Sequence, residues 1–304
     1  MKTTLEELLA FRTVVDAGSI TAAAEQLAQT VSGISRSLQR LESKLGTTLL
    51  TRTTRRLSLT EEGRSFLAHA RSILSAVDVA EDQMSARHQQ PAGRLRVNAS
   101  APFMLHVAAP LIGEFRALYP QIELELNSDD VVIDLLQEST DIAIRTGRLR
   151  DSTLHSRTLG SNRMRVLASP AYLLKHGKVK SVAQLADPAS AHVLLGFAQP
   201  DSLNRWPLRG PHGDRLGIAP SLRASGETLR RLALDGVGIV CLSDFMTAHD
   251  RELGDLVQVL PRDTVELLQP IHAVFYRNTQ LASRISCFLD FMAARVAAMS
   301  WYVA

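Results

Sequence analysis

The sequence has 304 residues, of which 45% are hydrophobic and 21% are charged. This length suits two or three domains with separate cores, and the balanced composition excludes a fibrous or disordered chain. The formal net charge of +3 is too small to indicate a nucleic-acid partner by itself.

The sequence predicts neither a membrane span nor an export signal. No apolar run approaches the roughly 18 residues that a bilayer crossing needs, and Glu6 and Glu7 stand where a signal peptide would be apolar. Cys241 and Cys287 lie in apolar segments without metal-ligand spacing, which predicts buried thiols in a reducing compartment. We therefore expect a cytoplasmic protein with no membrane partner.

Two helices are predicted at the N-terminus. Apolar residues from Leu5 to Val15 recur near helical spacing, and Gly18 supplies a C-terminal stop. Either Ser19 or Thr21 can cap the second helix, and its run of alanines allows another helix to approach closely.

A third helix is predicted from the N-cap Thr30 to Gly46, with one apolar stripe and a polar face opposite it. A helix of this kind, following a tight break, suits the major groove of DNA. An ordinary three-helix bundle is the alternative. The stripe consists of Ile34, Leu38, Leu41 and Leu45, and the polar face of Ser32, Ser35, Arg36 and Gln39.

Positive charge is concentrated in this helix and in the segment after it. Residues 29–60 contain six arginines and lysines and one acid, whereas acids outnumber bases in residues 1–28 and 61–90. Two short strands, Leu49–Arg52 and Leu57–Leu59, are predicted to form a wing whose arginines can reach phosphates or the minor groove. Residues 1–60 are therefore predicted to be a winged helix-turn-helix domain.

Residues Phe11–Gly63 resemble the LysR family of bacterial transcription regulators. The resemblance rests on FRTVVDAGSITAAAEQL, ISRSLQRLESKLG and LLTRTTRRLSLTEEG, and further along on DIAIRTG and LGF. The segments SGETL and GIVCLSD are similar to a subgroup that includes a meningococcal regulator of contact-induced genes. The resemblance implies DNA contacts from Thr30, Ser32, Ser35, Arg36, Arg52, Arg55 and Arg56, and the predicted DNA-contacting set also includes Val31, Gln39, Arg40 and Thr53.

Two positions depart from the family's pattern. Val31 stands where a polar residue is usual, and Gly33 stands where alanine is usual. Valine can pack on a thymine methyl group, whereas glycine weakens the helix by about 0.5 to 1 kcal/mol but allows closer backbone approach. The DNA sequence that is recognised therefore cannot be transferred from relatives.

A long linker helix is predicted over residues 61–90, capped by Thr60 and broken by Gln89–Gly93. Its apolar residues alternate spacings of three and four for three heptads, which predicts pairing with a second copy. Packing against the chain's own effector domain is the alternative. Two paired heads suit a dyad-symmetric site in double-stranded DNA, and the resemblance implies tetramers or larger assemblies. The predicted dimer contacts are Phe66, Ala70, Ile73, Val77 and Met84.

From Leu95 onward strands alternate with helices, which predicts a parallel α/β architecture for residues 93–304. The resemblance implies two subdomains that the chain crosses twice, as in periplasmic binding proteins. We place the crossings near Asn162 and Leu267. The predicted halves are residues 93–162 with 268–304, and residues 163–267.

A small-molecule effector is expected in the cleft between these halves, beyond the carboxyl ends of the strands. The two helix N-termini there favour an anionic effector, of unknown identity. For each serine, helix capping is an equal alternative, and Arg145 suits either an anionic ligand or a structural salt bridge. The predicted effector contacts are Ser100, Pro102, Ser128, Arg145, Phe197, Trp206, Ser225 and Glu227.

Enzymatic function is not expected. The sequence contains no GxGxxG, P-loop, GxSxG or HExxH motif, and its histidines are scattered. No cofactor or metal is therefore expected. A solute-binding transport protein would need an export signal and no DNA-binding head. The sequence predicts a sequence-specific transcription regulator whose DNA binding is modulated by a small molecule.

Overall fold

A computed structural model describes residues 3–52, 57–85, 91–128, 140–147, 149, 154–187, 189–210, 213–275 and 282–303. The head contains α1 (Leu5–Ala17), α2 (Ile20–Gln26), α3 (Val31–Leu45), β1 (Leu50–Arg52) and β2 (Leu57–Leu59), and α4 (Glu61–Ser85) follows it.

Local capping sets the boundaries of the head's helices. Ser19 and Thr30 each accept a hydrogen bond from the backbone N–H of the third residue of their helix, at 3.0 and 3.1 Å. Of the two predicted candidates, Ser19 and Thr21, Ser19 is thus the cap of α2. Gly18 and Gly46 end α1 and α3 with φ of 68°, a left-handed conformation that glycine adopts without strain.

The head has its own apolar core, in which α1 packs against α3 and α4. Ile34, Leu38 and Leu41 are buried, so the predicted stripe of α3 is confirmed. Phe11 is also buried, and its ring centroid lies 5.8 Å from that of Phe66 on α4. The core therefore fixes α3 with its polar face outward.

The wing is joined directly to α4. The Thr60 hydroxyl accepts a hydrogen bond from Gly63 N at 2.8 Å and donates one to the Thr48 carbonyl at 2.8 Å, while Thr60 N donates to Leu49 O at 3.0 Å. Gly63 lies so close to β1 that an added Cβ would stand 2.0 Å from Leu49 O. Only glycine allows the helix to start this close to the strand.

The effector domain alternates strands and helices, as predicted. The helix predicted through Leu135 lies outside the described residues. The elements are β3 (Gly93–Ala99), α5 (Ala101–Phe103), a π-helical turn (Met104–Ala108), α6 (Ala109–Leu118), β4 (Ile122–Ser128), β5 (Ile142–Thr146), β6 (His155–Ala168), α7 (Pro170–His176), α8 (Val182–Ala186), β7 (Leu194–Phe197), a 3-10 turn (Asp201–Asn204), β8 (Arg205–Trp206), β9 (Leu216–Gly217), β10 (Leu222–Ala224), α9 (Gly226–Leu234), β11 (Ile239–Ser243), α10 (Asp244–Leu253), β12 (Val257–Gln258), β13 (Leu268–Phe275) and α11 (Ser283–Ala297).

Across the described ranges, nine strands form one mixed sheet in the order β10-β7-β11-β6-β13-β5-β3-β4, with β12 paired to β6. β4 and β5 run parallel to β3, and β10 and β11 run parallel to β7. The long strands β6 and β13 are antiparallel to each other and to their other main partners, β11 and β5. The expected parallel arrangement therefore holds for β3, β4 and β5 and for β7, β10 and β11, and the two long strands between these groups add an antiparallel centre.

The strand β6 belongs to both parts of the sheet. Its residues up to Arg163 pair with β13, and those from Met164 pair with β11. The buried Asn162 lies at this change of partner, where its side chain accepts a hydrogen bond from Asp244 N at 3.2 Å and donates one to Gln269 O at 3.4 Å. The division of the domain into halves at these residues stays a prediction.

We expect opposite effects from alanine at two helical glycines. Gly63→Ala should lower the free energy of unfolding by about 1 to 3 kcal/mol, because its Cβ overlaps a backbone carbonyl. Gly113→Ala in α6, where an added Cβ meets nothing within 4 Å, should raise it by about 0.5 to 1 kcal/mol. Urea unfolding followed by circular dichroism measures both, and a Gly63→Ala protein as stable as the wild type would contradict the close approach.

Candidate DNA-binding surface and effector cleft

The polar face of α3 points away from the head's core. Val31 is 47% exposed, and Ile34 on the opposite face is buried. The predicted contact residues of this helix thus share one outward surface, whatever their role on DNA. The exposed or half-buried residues of this surface are Thr30, Val31, Ser32, Ser35, Arg36, Gln39 and Arg40.

Hydrogen bonds within α3 arrange its cations. Arg36 Nε donates to the Ser32 carbonyl at 3.3 Å, and Arg40 Nη2 donates to Ser37 Oγ at 3.0 Å. Both guanidinium groups therefore have a fixed point of attachment on the helix, which limits the rotamers available to them.

Gly33 has a local structural reason. A Cβ there would lie 3.0 Å from Thr30 Oγ1, the atom that caps α3. With alanine, the usual residue of the family, the Thr30 side chain would have to shift by a few tenths of an ångström.

The wing is described only in part. β1 and β2 pair antiparallel with Leu50 opposite Leu59 and Arg52 opposite Leu57. The side chain of Arg52, and Thr53, Arg55 and Arg56, lie outside the described residues. Their DNA contacts stay predictions.

One group of predicted effector contacts lies at the carboxyl ends of three adjacent parallel strands. The register places Ala99 of β3 beside Ser128 of β4 and beside Ile144 of β5. Ser100, Ser128 and Arg145 therefore lie at one edge of the sheet.

A second group converges where α9 begins. An added Cβ at Gly226 would lie 3.1 Å from Pro102 Cγ, 3.4 Å from Met246 Cε and 3.5 Å from Phe197 Cε1. The glycine thus lets the start of α9 pack against α5, and it brings Pro102 and Phe197 next to Ser225. Met246 was not predicted from the sequence.

Two of the predicted serines, Ser100 and Ser225, lie directly before helices. Ser100 precedes α5 and Ser225 precedes α9, yet neither side chain accepts a capping hydrogen bond from a backbone N–H of its helix. The Ser225 hydroxyl instead lies 3.2 Å from that of Thr228. Simple capping was the alternative to ligand binding; these two serines do not make such a cap, and for Ser128 both alternatives stay open.

Glu227 has a partner on the neighbouring helix. Its Oε1 lies 2.9 Å from His106 Nε2 in the π-helical turn, and its Oε2 lies 3.9 Å from Arg230 Nη1. The carboxylate therefore links the start of α9 to the helix that follows β3. His106 was missed because nothing in the sequence pairs two residues that are 121 positions apart.

The prediction that Trp206 forms a wall of the cleft is wrong. Its side chain is 1% exposed and lies in a separate core with Tyr172, Leu208 and Val259. Burying an indole removes a large apolar area from water, so the core of this region takes the ring.

Two family models match the chain over most of its length. Residues 5–64 match the model described as a bacterial regulatory helix-turn-helix protein of the lysR family, and residues 88–297 match the LysR substrate binding domain. The chain belongs to the LysR family. It is a LysR-type transcription regulator, with a helix-turn-helix DNA-binding domain and an effector-binding domain.

Transcription regulators are similar to this chain over nearly its whole length. The HTH-type transcriptional regulator CrgA of Neisseria meningitidis is 46% identical over 293 residues, which are 96% of this chain and 97% of that protein. The structure of CrgA covers 96% of this chain and 99% of its own, with 45% identity and a TM-score of 0.64. The full-length structure of the virulence activator AphB of Vibrio cholerae covers 96% of this chain and 99% of its own, with 28% identity and a TM-score of 0.59.

The linker helix of this LysR-type regulator uses part of its apolar seam within the chain. Ala70 is fully buried and Phe66 packs on Phe11, so the first turns of α4 cover the head. The prediction that Ala70 contacts a second copy is therefore wrong. Ile73 is 44% exposed and Val77 is half-buried, while the side chain of Met84 lies outside the description.

None of the described helices combines the length and the apolar character that crossing a bilayer requires.

Proposed function

We propose that this LysR-type regulator binds a dyad-symmetric site in double-stranded DNA, with α3 in the major groove and the wing on the flanking backbone. The observation that carries the proposal is the burial of Ile34, Leu38 and Leu41 opposite an exposed polar face. Its relatives are regulators, which supports a function in transcription rather than catalysis. A protein that acts on the chromosome works in the cytoplasm of a bacterium.

The residues of the proposed interface divide into two kinds. Those on α3 face base edges, and those of the wing reach the phosphate backbone. We assign base contacts to Val31, Arg36 and Arg40 and phosphate contacts to Arg52, Arg55 and Arg56. The remaining assigned contacts are Thr30, Ser32, Ser35, Gln39 and Thr53.

Alanine substitutions separate the two kinds of contact. Arg36→Ala should weaken binding to the selected site by about 1 to 3 kcal/mol and relax specificity, because a base contact is lost. Arg55→Ala should weaken all sequences alike and reduce the slope of log K against log salt by about 1. Fluorescence anisotropy over a salt series measures both, and equal loss of discrimination in the two variants would contradict the division.

Dimerisation is proposed through the part of α4 that leaves the head. Ile73 and Val77 are one helical turn apart and partly exposed, whereas the preceding apolar residues already cover the head. A second copy would cover an apolar pair that this chain leaves partly exposed.

Charge at this surface should dissociate the dimer. We expect the double variant Ile73→Glu and Val77→Glu to sediment as a monomer, because like charges would meet in the seam. The matched control is Ser72→Glu with Ala76→Glu, which adds the same charge at exposed positions one residue earlier. A dimer that persists in the first variant during analytical ultracentrifugation would refute the proposed interface.

The effector is proposed to bind beside Ser100, Ser128, Arg145 and Phe197, next to the start of α9. The glutamate at that helix start, Glu227, already offers a negative charge and is engaged by His106. Preference for an anion therefore comes from the strand edge with Arg145 rather than from α9. Pro102 and Ser225 complete the proposed site.

Small carboxylates and their amides can test this site. In a thermal-shift series, we expect at least one carboxylate to raise Tm where its matched amide does not, because ligand binding stabilises the folded state. Ser128→Trp should abolish that rise in Tm, because the indole would occupy the proposed ligand site. Ser221→Trp, at an exposed bend, should leave the rise in Tm unchanged. Equal stabilisation by amides, or a shift unchanged in Ser128→Trp, would contradict the proposed site.

A further inference from the structure

A buried carboxylate of α1 faces the recognition helix α3. The Glu7 side chain is only 3% exposed, and its two oxygens accept hydrogen bonds from Lys44 Nζ at 2.7 and 2.9 Å. Arg40 Nε lies 3.5 Å from Glu7 Oε1. One acid of the supporting helix therefore holds two cations of the helix that meets DNA.

The carboxylate is itself fixed to the start of α1. Thr4 N donates to Glu7 Oε2 at 3.0 Å, and Glu7 N donates to Thr4 Oγ1 at 3.3 Å, which together form a capping box. Burial raises the pKa of Glu7, but the hydrogen bonds from Lys44 and Thr4 outweigh it and leave the pKa below its ordinary value. The group is therefore an anion at neutral pH.

Arg40 is held from two sides. Its Nη2 donates to Ser37 Oγ at 3.0 Å while its Nε faces Glu7, and its side chain is still 57% exposed. A planar guanidinium with two of its nitrogens engaged has few orientations left. Less freedom then remains to be lost when the exposed edge meets DNA.

We propose that Glu7 is a positioning residue for sequence recognition, which holds Arg40 in the orientation that contacts a base. The inference rests on the proposed contact of Arg40 with DNA. A negative charge behind a DNA-binding face weakens attraction to phosphates of every sequence. Glu7 therefore lowers the affinity for DNA of any sequence and, by fixing the orientation of Arg40, raises the discrimination between sequences.

These two effects predict a change in DNA binding that a loss of folding stability would not produce. In Glu7→Gln the ratio of specific to non-specific affinity should fall about five- to tenfold, while affinity for a non-specific duplex is unchanged or higher. A purely structural role would weaken both affinities together. Glutamine retains the length of the side chain and an oxygen for Lys44 or Thr4.

The experiment compares two duplexes bound by the full-length protein. One is selected from a random library by the wild type, and the other is a scrambled duplex of the same composition. The matched control is Asp16→Asn. Asp16 is also on α1 and forms an ion pair with Arg71 of α4, so this substitution likewise removes one paired negative charge from α1. Asp16→Asn should leave the specificity ratio unchanged, and an equal fall in both variants would overturn the inference.

Ser37→Ala is a second variant that tests the positioning of Arg40 and leaves the buried charge of Glu7 in place. It removes the other attachment of Arg40 and should lower the ratio about two- to fivefold. A ratio that stays at the wild-type value in both Glu7→Gln and Ser37→Ala would also overturn the inference.

Arg40→Ala distinguishes failure of the inference from failure of the proposed contact. If Glu7 acts through Arg40, adding Glu7→Gln to Arg40→Ala should lower the ratio no further. Additive losses would overturn the positioning role and leave the contact of Arg40 intact. An Arg40→Ala protein with wild-type specificity would refute the contact itself and the inference with it.

Discussion

The orientation of the recognition helix depends on one apolar contact, between α1 and α3. Phe11, Ile34 and Leu38 are each almost completely buried there. Burial of such a side chain contributes about 1.5 to 3 kcal/mol, whereas an exposed ion pair contributes about 0 to 1 kcal/mol. The core therefore determines where α3 lies, and the polar groups around Arg40 determine how its side chains are presented.

The effector domain is joined across its middle by more than its two long strands. The rings of Phe103 on α5 and Phe245 on α10 have centroids 5.8 Å apart, and both belong to one apolar core that continues along the sheet. The contact between His106 and Glu227 likewise joins the π-helical turn after α5 to α9. These contacts tie α5 to α9 and α10, and α11 packs on α4.

Local signals in the sequence were sufficient for the head. Caps such as Thr30, stops such as Gly46 and a stripe at helical spacing each depend on residues within one or two turns, so they could be predicted. Trp206 and Ala70 could not, because apolar character does not tell which surface will cover a side chain. The engagement of Glu227 by His106 and of Arg40 by Glu7 depends on helices that meet only in the folded chain.

Positions 31 and 33 have different evolutionary prospects. Val31 projects into solvent, so mutations there leave the fold unaffected, and in the proposed mode of binding they change a group that faces the bases. Gly33 lies against the hydroxyl that caps α3, so a larger residue there requires the Thr30 side chain to move by a few tenths of an ångström. In the proposed mode of binding, a new side chain at position 31 therefore needs no adjustment of the fold, whereas one at position 33 needs the residue at position 30 to adjust as well.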